Sequence, residues 1–224
     1  MKGAKPFWSY EDLMLFLGAT LPAFVIASFA VRPIHFPNDG VRQVAFQSLW
    51  YLMLVLTLFG LLVRYKRPFW RSLGWTLSFR GAALCVIVGP VLAIGLATLA
   101  AALHAPAETA IQNLVTDRLS RVAVMLFVSL LGPVFEELVF RGFVLPLFEA
   151  SAGAWAAVFM TAIPFALLHG PTVRWSWQSM FVIALAGVAF GFARVMTGST
   201  TAAALVHVGY NSTLFAVFLI QNWV

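Results

Sequence analysis

The chain has 224 residues, of which 62% are hydrophobic and only 10% are charged, and its mean hydropathy is +0.92. This composition excludes an ordinary soluble domain and predicts an all-α, polytopic transmembrane helical bundle, with residues 1–224 forming one integral membrane domain. The 14 Lys and Arg residues outnumber the 8 Asp and Glu residues and lie mostly between apolar segments, as expected for loops near anionic lipid headgroups. No basic stripe is interleaved with aromatic residues on a soluble face, so membrane lipid, and not nucleic acid, is the expected partner.

Seven apolar segments are long enough, or nearly long enough, to cross a bilayer. In chain order they cover residues 12–31, 43–63, 81–103, 122–140, 154–169, 178–196 and 201–221. An additional short or re-entrant helix would bring the total to about seven or eight membrane helices. The fifth segment is short and ends in His169-Gly170-Pro171, so it is expected to stop inside the protein. The polar link 104–121 is expected to hold an interfacial helix.

The distribution of Lys and Arg predicts the orientation of the chain. The side that holds the N-terminus has the larger share of these residues, namely Lys2, Lys5, the basic loop 64–71, Arg141 and Arg194. Because loops rich in Lys and Arg stay in the cytoplasm, we expect a cytoplasmic N-terminus. The first apolar segment lacks a small-residue cleavage site and is interpreted as a retained helix. The expected location is a plasma membrane, such as the bacterial inner membrane.

Two acidic residues, Glu136 and Glu137, lie inside a predicted span. A charge at this depth costs about 2.5–3.5 kcal/mol on insertion scales, so acidic residues in spans usually have a function. Adjacent residues of a helix point about 100° apart, so the two carboxylates cannot face the same space equally. Glu137 and Arg141 have the i, i+4 spacing of a helical ion pair. We therefore expect Glu137 to pair with Arg141 and Glu136 to face a cavity.

Two histidines and one asparagine have positions that relate them to Glu136. A turn at residues 151–153 would place Glu136 and His169 at matching heights in a helical hairpin. His207 and Asn211 are spaced i, i+4 and therefore share one face of a helix. The distances from the predicted turns indicate that the cavity opens to the cytoplasmic side.

Three motifs follow one another between residues 136 and 211. They are Glu136-Glu137-x-x-x-Arg141, Phe165-x-x-x-His169 and His207-x-x-x-Asn211. Together they resemble the motifs of the CAAX-protease and bacteriocin-processing (CPBP, also Abi) family of intramembrane proteases, which includes the Ras-converting CAAX endopeptidases. The resemblance covers about the C-terminal third of the chain, within the segment 122–221. It implies an endopeptidase that hydrolyses a peptide bond in a membrane-associated protein or peptide, in some members a prenylated one.

The resemblance also implies roles for individual residues. Glu136 and His169 would activate the attacking water, while His207 and Asn211 would stabilise the tetrahedral oxyanion. A carboxylate–imidazole pair suits the first task, and preorganised donors in a site of low dielectric suit the second. The residues that the resemblance implies as supporting are Glu137, Arg141 and Phe165.

Other interpretations of the same residues stay open. Glu136, His169 and His207 could bind zinc and leave one position for water, although the chain lacks His-Glu-x-x-His and Asn is an uncommon zinc ligand. We therefore favour a protease without a metal cofactor. A transporter or channel would also need acids and histidines in its spans, but it usually has two repeated halves with broken helices. A non-catalytic immunity or scaffold protein could retain the fold without the reaction.

Overall fold

The computed structural model describes residues 8–76, 79–106 and 110–223, and within these ranges it has eight helices and no strand. Lys2 and Lys5, which were used to predict the orientation, lie outside the described residues. The predicted all-α bundle is confirmed. The helices are α1 (Tyr10–Val31), α2 (Asp39–Arg64), α3 (Phe69–Ser72), α4 (Phe79–Ala102), α5 (Arg118–Ala152), α6 (Ala154–Leu168), α7 (Trp177–Thr197) and α8 (Thr200–Trp223).

Six of these helices have the length and apolar composition needed to cross a membrane: α1, α2, α4, α5, α7 and α8. The seventh apolar helix, α6, has 15 residues and a length of about 22 Å, which is less than the ~30 Å hydrocarbon core of a bilayer. The prediction that the fifth apolar segment is short and stops inside the protein agrees with this length. The chain is an integral membrane protein with a helical bundle of the predicted type.

The polar link 104–121 differs from its prediction. In its described part, residues 104–106 and 110–121, a single 3-10 turn at Gln112–Leu114 takes the place of the expected interfacial helix. The last residues of the link form the first turn of α5, because Asp117 caps that turn by accepting a hydrogen bond from the backbone of Ser120 at 2.8 Å. Asn38, the N-cap of α2, donates to Asp117 at 2.7 Å and so ties the starts of the two helices together.

Helix α5 is 35 residues long and contains two π-helical segments, Phe127–Leu131 and Leu138–Val144. The α-helical turns between them, Gly132–Glu137, carry both glutamates. A π-helical segment bonds i to i+5 and changes the direction in which the following side chains point. Such segments are rare and occur frequently at functional sites, so the local geometry of α5 sets the directions of Glu136 and Glu137.

The turn predicted at residues 151–153 is present. Gly153 follows α5 with φ +83°, which glycine adopts without strain, and α6 starts at the next residue. Helices α4 and α8 cross closely at Gly89. A Cβ atom on Gly89 would lie 2.6 Å from the carbonyl oxygen of Val206 and 2.8 Å from Cα of Gly209. This crossing holds α8 and its polar residues at a fixed height.

The count of basic residues that predicted the orientation placed Arg141 at a membrane surface, and this placement is wrong. Its side chain has no solvent exposure and lies in the centre of the bundle. It was misplaced because Lys and Arg near the end of a predicted span are usually interfacial, whereas an ion pair with Glu137 allows this guanidinium to be buried. The predicted orientation therefore depends on the remaining basic residues.

Candidate active site

The two adjacent glutamates have different environments. Glu137 is fully buried, and its Oε1 accepts a hydrogen bond from Nη1 of Arg141 at 2.9 Å. Glu136 has a side chain that is 17% exposed, and its Oε2 faces two histidines. The pairing predicted from the i, i+4 spacing is present, and so is the different direction of Glu136. One carboxylate is thus part of the core and the other is accessible to a small reactant.

The buried guanidinium of Arg141 is compensated on several sides. Nη2 donates to the backbone carbonyl of Gly187 on α7 at 2.6 Å. The cation also lies 4.9 Å from the ring centre of Phe165 and 5.5 Å from that of Phe190. Because an unpaired buried charge costs several kcal/mol, this arrangement fixes α5 against α6 and α7. The spacing within α5 predicted the ion pair, but the contacts to α7 depend on how the helices cross.

Two imidazoles converge on the carboxylate of Glu136. Its Oε2 lies 4.0 Å from Nε2 of His169 on α6 and 3.9 Å from Nε2 of His207 on α8. The approach of Glu136 and His169 across the α5–α6 hairpin was predicted. These separations are too long for direct hydrogen bonds, but a water molecule can bridge atoms 4.0 Å apart with two bonds of about 2.8 Å. The geometry therefore suits a water held between the carboxylate and an imidazole.

The other ring nitrogen of each histidine has a fixed partner. Nδ1 of His169 lies 2.8 Å from the carbonyl oxygen of Phe165, and Nδ1 of His207 lies 2.9 Å from Oε1 of Glu137. A carbonyl oxygen and a carboxylate paired with arginine both accept hydrogen bonds, so each Nδ1 carries a proton. In the neutral state each Nε2 then presents a lone pair to the site. His207 can donate from Nε2 only as an imidazolium, whose charge the adjacent Glu137 carboxylate would balance.

The contact between His207 and Glu137 was not expected from the sequence. It gives Glu137 a second partner besides Arg141 and connects the buried ion pair directly to the site. Hydrogen bonds of this kind orient an imidazole and select its tautomer. Glu137 therefore supports the site through His207 as well as through the packing of α5.

Asn211 lies on α8 one turn beyond His207, as the i, i+4 spacing predicted. Its Nδ2 donates to the carbonyl oxygen of Val128 at 2.8 Å, within the first π-helical segment of α5. An amide group has a second N–H, which this bond leaves for another acceptor. The structure thus brings Glu136, His169 and His207 together. Asn211 lies one helical turn after His207, with its amide bonded to the backbone of α5.

Aromatic side chains hold the two imidazoles in place. The ring of Phe165 lies 4.7 Å from the ring of His169 and contacts the ring of His207 edge-on at 5.8 Å. Phe190 stacks on His207 at 4.2 Å with an angle of 19° between the planes. The motif pattern indicated Phe165 but not Phe190. Phe190 lies in an apolar span rich in phenylalanine, and only its distance from His207 distinguishes it.

Sequence reasoning also missed Tyr51 on α2. Its hydroxyl lies 3.5 Å from Oε1 of Glu136, so the N-terminal half of the chain contributes to the site. The polar groups considered inside the spans were acids, histidines and an asparagine. A tyrosine in the middle of an apolar span is also a polar group at that depth, and it was the one available signal for this contact.

The separations of these ligand atoms can be compared with those of a zinc site. Zinc bonds of about 2.0–2.2 Å in a tetrahedron place the ligand atoms roughly 3.4 Å apart. The Glu136–His169 and Glu136–His207 distances of 4.0 and 3.9 Å would have to shorten by about half an ångström. Among the described residues, no three His, Cys, Asp or Glu side chains already have metal-binding geometry. The donor types nevertheless fit zinc, and both Nδ1 atoms have the outer partners that zinc-bound histidines usually have.

Comparison with known proteins finds one protein family that is similar to this region. Residues 118–213 match the family model described as "Type II CAAX prenyl endopeptidase Rce1-like". No curated protein and no solved structure gives a significant match. The matched segment runs from the start of α5 into α8 and contains all three motifs, and the family is one of intramembrane proteases. Residues 118–213 are therefore similar to the Rce1-like CAAX endopeptidase family, and this match agrees with the resemblance of the three motifs.

Proposed function

We propose that the protein is an intramembrane endopeptidase that hydrolyses a peptide bond in a membrane-associated protein or peptide with a water activated by Glu136 and His169. The observation that carries this proposal is the convergence of Glu136 Oε2 with the Nε2 atoms of His169 and His207 inside an apolar span. A carboxylate and two imidazoles at this depth are expensive to retain without a function. The family of residues 118–213 supports peptide hydrolysis over transport.

In the proposed reaction, a water lies between Glu136 and His169. Proton transfer from this water to the Glu136–His169 pair forms the nucleophile, which attacks the scissile carbonyl carbon. The proton then passes to the leaving amine when the tetrahedral intermediate breaks down. In the intervening step the oxyanion accepts hydrogen bonds from Nε2–H of His207 and from the second N–H of Asn211. Loss of one such donor typically lowers kcat by about 10²–10³.

The contact between Glu137 and His207 is consistent with the proposed role of His207 as an oxyanion donor. An oxyanion donor at Nε2 of His207 requires the imidazolium form, because Nδ1 already donates to Glu137. The Glu137 carboxylate balances that charge, and Arg141 fixes the carboxylate. Glu137 and Arg141 thus act through His207, whereas Glu136, His169, His207 and Asn211 contact the reactants.

We also propose that an apolar groove beside the site binds the lipid part of the substrate. A cavity of about 310 Å³ lies between α5 and α8, next to the segment that bonds Asn211. Apart from two serines its lining is apolar, and it includes Met125, Leu130, Val208, Phe215 and Leu219. The description of the matching family names prenyl endopeptidases, so a prenylated peptide that enters from the cytoplasmic side is the proposed substrate.

The proposed mechanism uses no metal, and the zinc version of the same protease remains the alternative. Zinc would be held by Glu136, His169 and His207, and it would supply a Lewis acid for the water. Metal analysis of the purified, active protein distinguishes the two. Activity with less than one tenth of an equivalent of zinc and full resistance to o-phenanthroline would support the metal-free reaction, whereas stoichiometric zinc and inhibition would establish the alternative.

The function itself is tested by cleavage of fluorogenic peptides in detergent micelles or liposomes. We expect cleavage of membrane-associated peptides, faster for prenylated than for unprenylated versions of one sequence. The substitutions Glu136→Ala, His169→Ala and His207→Ala should each abolish cleavage, while the proteins still insert and fold. Wild-type cleavage by Glu136→Ala would refute the mechanism, and equal rates for both peptide versions would refute the lipid-binding role of the groove.

A further inference from the structure

The carboxylate of Glu136 has two oxygens, and different neighbours face each of them. Oε2 faces His169 and His207 at 4.0 and 3.9 Å. Oε1 faces the hydroxyl of Tyr51 at 3.5 Å. Tyr51 lies on α2, outside the segment 118–213 that matches the family model. The two oxygens of the proposed base are therefore divided between a tyrosine on one side and two imidazoles on the other.

The position of the Tyr51 ring is fixed by aromatic neighbours on α5. The ring stacks on Phe135 with a centroid distance of 3.8 Å and an angle of 17°. It also lies 5.6 Å from the ring of Phe127. Phe135 directly precedes Glu136 in the same turn of α5, so the stack keeps the hydroxyl beside the carboxylate. The phenol is thus rigidly held by helix α5 although it belongs to α2.

We propose that Tyr51 is a positioning residue for Glu136: its hydroxyl donates to Oε1 and thereby keeps Oε2 directed at the water and the two imidazoles. The terminal torsion of a glutamate carboxylate has a broad distribution of angles, and a donor on one oxygen restricts that torsion. At 3.5 Å the bond is long for O–H···O, but catalytic hydrogen bonds are often long in the free enzyme and shorten when substrate binds. This inference rests on the proposed role of Glu136 as the base.

The alternative is that Tyr51 only packs against Phe135. The substitution Tyr51→Phe separates the two, because it retains the ring and its stacking and removes the hydroxyl. We expect kcat to fall about tenfold, the effect typical of losing a hydrogen bond to a charged group. KM should change by less than about twofold, because the hydroxyl does not contact the substrate, and the unfolding temperature should match that of the wild type.

Tyr65→Phe is the matched control. Tyr65 lies at the C-terminal end of α2, and its hydroxyl donates to Oδ2 of Asp12 at 2.6 Å, away from the site. The control also removes a tyrosine hydroxyl from a carboxylate, so it corrects for any general effect of this change on α2. It should leave kcat and KM at their wild-type values.

The outcomes separate the proposals. Equal kcat values for Tyr51→Phe and Tyr65→Phe, with Glu136→Gln inactive, would overturn the role of Tyr51 and leave the proposed function intact. Loss of activity in Tyr51→Leu together with wild-type kinetics in Tyr51→Phe would assign only packing to Tyr51 and would also overturn it. Wild-type cleavage by Glu136→Gln would instead refute the proposed function itself. A tenfold fall in kcat at constant KM in Tyr51→Phe supports the inference.

Discussion

Replacement of Glu137 by glutamine should destabilise the protein much more than the same replacement of Glu136. Glu137 is fully buried and accepts hydrogen bonds from Arg141 and His207, both at 2.9 Å. Glutamine has a similar shape but no charge, so Glu137→Gln leaves the guanidinium of Arg141 buried with a carbonyl and aromatic rings as its neighbours. Glu136 is partly exposed and lies 3.9 and 4.0 Å from two imidazoles, so Glu136→Gln should have little effect on folding.

The expected loss of stability follows from the environment of the Glu137–Arg141 ion pair. Removal of one partner of a buried ion pair costs about 3–5 kcal/mol, and the contacts that remain for Arg141 indicate the lower end of this range. For a chain of 150–250 residues, each kcal/mol shifts the melting temperature by about 2–4 °C. We therefore expect Glu137→Gln to unfold at a temperature lower by roughly 6–12 °C. Glu136→Gln should unfold within about 2 °C of the wild type.

Thermal unfolding of the purified variants in one detergent measures this difference. The double substitution Glu137→Gln/Arg141→Met provides an internal check, because it removes both charges together. If the ion pair is the cause, the double variant should be more stable than the sum of the two single effects predicts. A wild-type melting temperature for Glu137→Gln, or strictly additive effects in the double variant, would refute the reasoning.

Three further predictions concern the framework of the site. Gly89→Ala should strongly reduce the yield of folded protein, because its Cβ would lie 2.6 Å from a backbone oxygen of α8, while Gly95→Ala on the same helix has no atom within 4 Å and should behave as wild type. A hydrogen bond from the backbone of the third residue of α5 holds the pKa of Asp117 below its usual range. The stabilisation of α5 by the ionised Asp117 cap should therefore be complete above about pH 3.9 and disappear as the pH falls further. Hydrogen exchange in the first turn of α5 should show this loss in the wild type and not in Asp117→Asn. Phe190→Leu removes the stack on His207 and should lower kcat about fivefold at constant KM, measured by steady-state peptide cleavage; an unchanged kcat would exclude a positioning role for this ring.

The parts of the site that could be predicted are those set within one helix or one hairpin. The i, i+4 spacing of Glu137 and Arg141 sufficed for their ion pair, because helix geometry alone brings such residues together. The approach of Glu136 to His169 followed from the position of the turn at Gly153, since the two helices of a hairpin have matched heights. Composition and span lengths sufficed for the helical membrane bundle.

The remaining contacts depend on how separate helices rotate and cross, which hydropathy does not encode. The partners of His207 and Asn211 on α5, namely Glu137 and the carbonyl of Val128, follow from the packing of α8 against the π-helical segments of α5. Tyr51 lies 85 positions before Glu136 in the chain, and the two residues meet only because α2 packs beside α5. Arg141 was assigned to a surface because basic residues near span ends are usually interfacial. Its burial depends in part on an acceptor in another helix, the carbonyl oxygen of Gly187 on α7.

The central claim is that adjacent glutamates have separate tasks, with Glu136 in the chemical step and Glu137 in the framework. The most direct test is a cleavage assay of Glu136→Gln and Glu137→Gln side by side, with each initial rate divided by the concentration of folded protein and measured at least 10 °C below the lower melting temperature. We expect no detectable product from Glu136→Gln, whose folded fraction equals that of the wild type, and reduced but measurable cleavage from Glu137→Gln. Wild-type cleavage per folded molecule by Glu136→Gln, or the reverse order of the two variants, would contradict the claim.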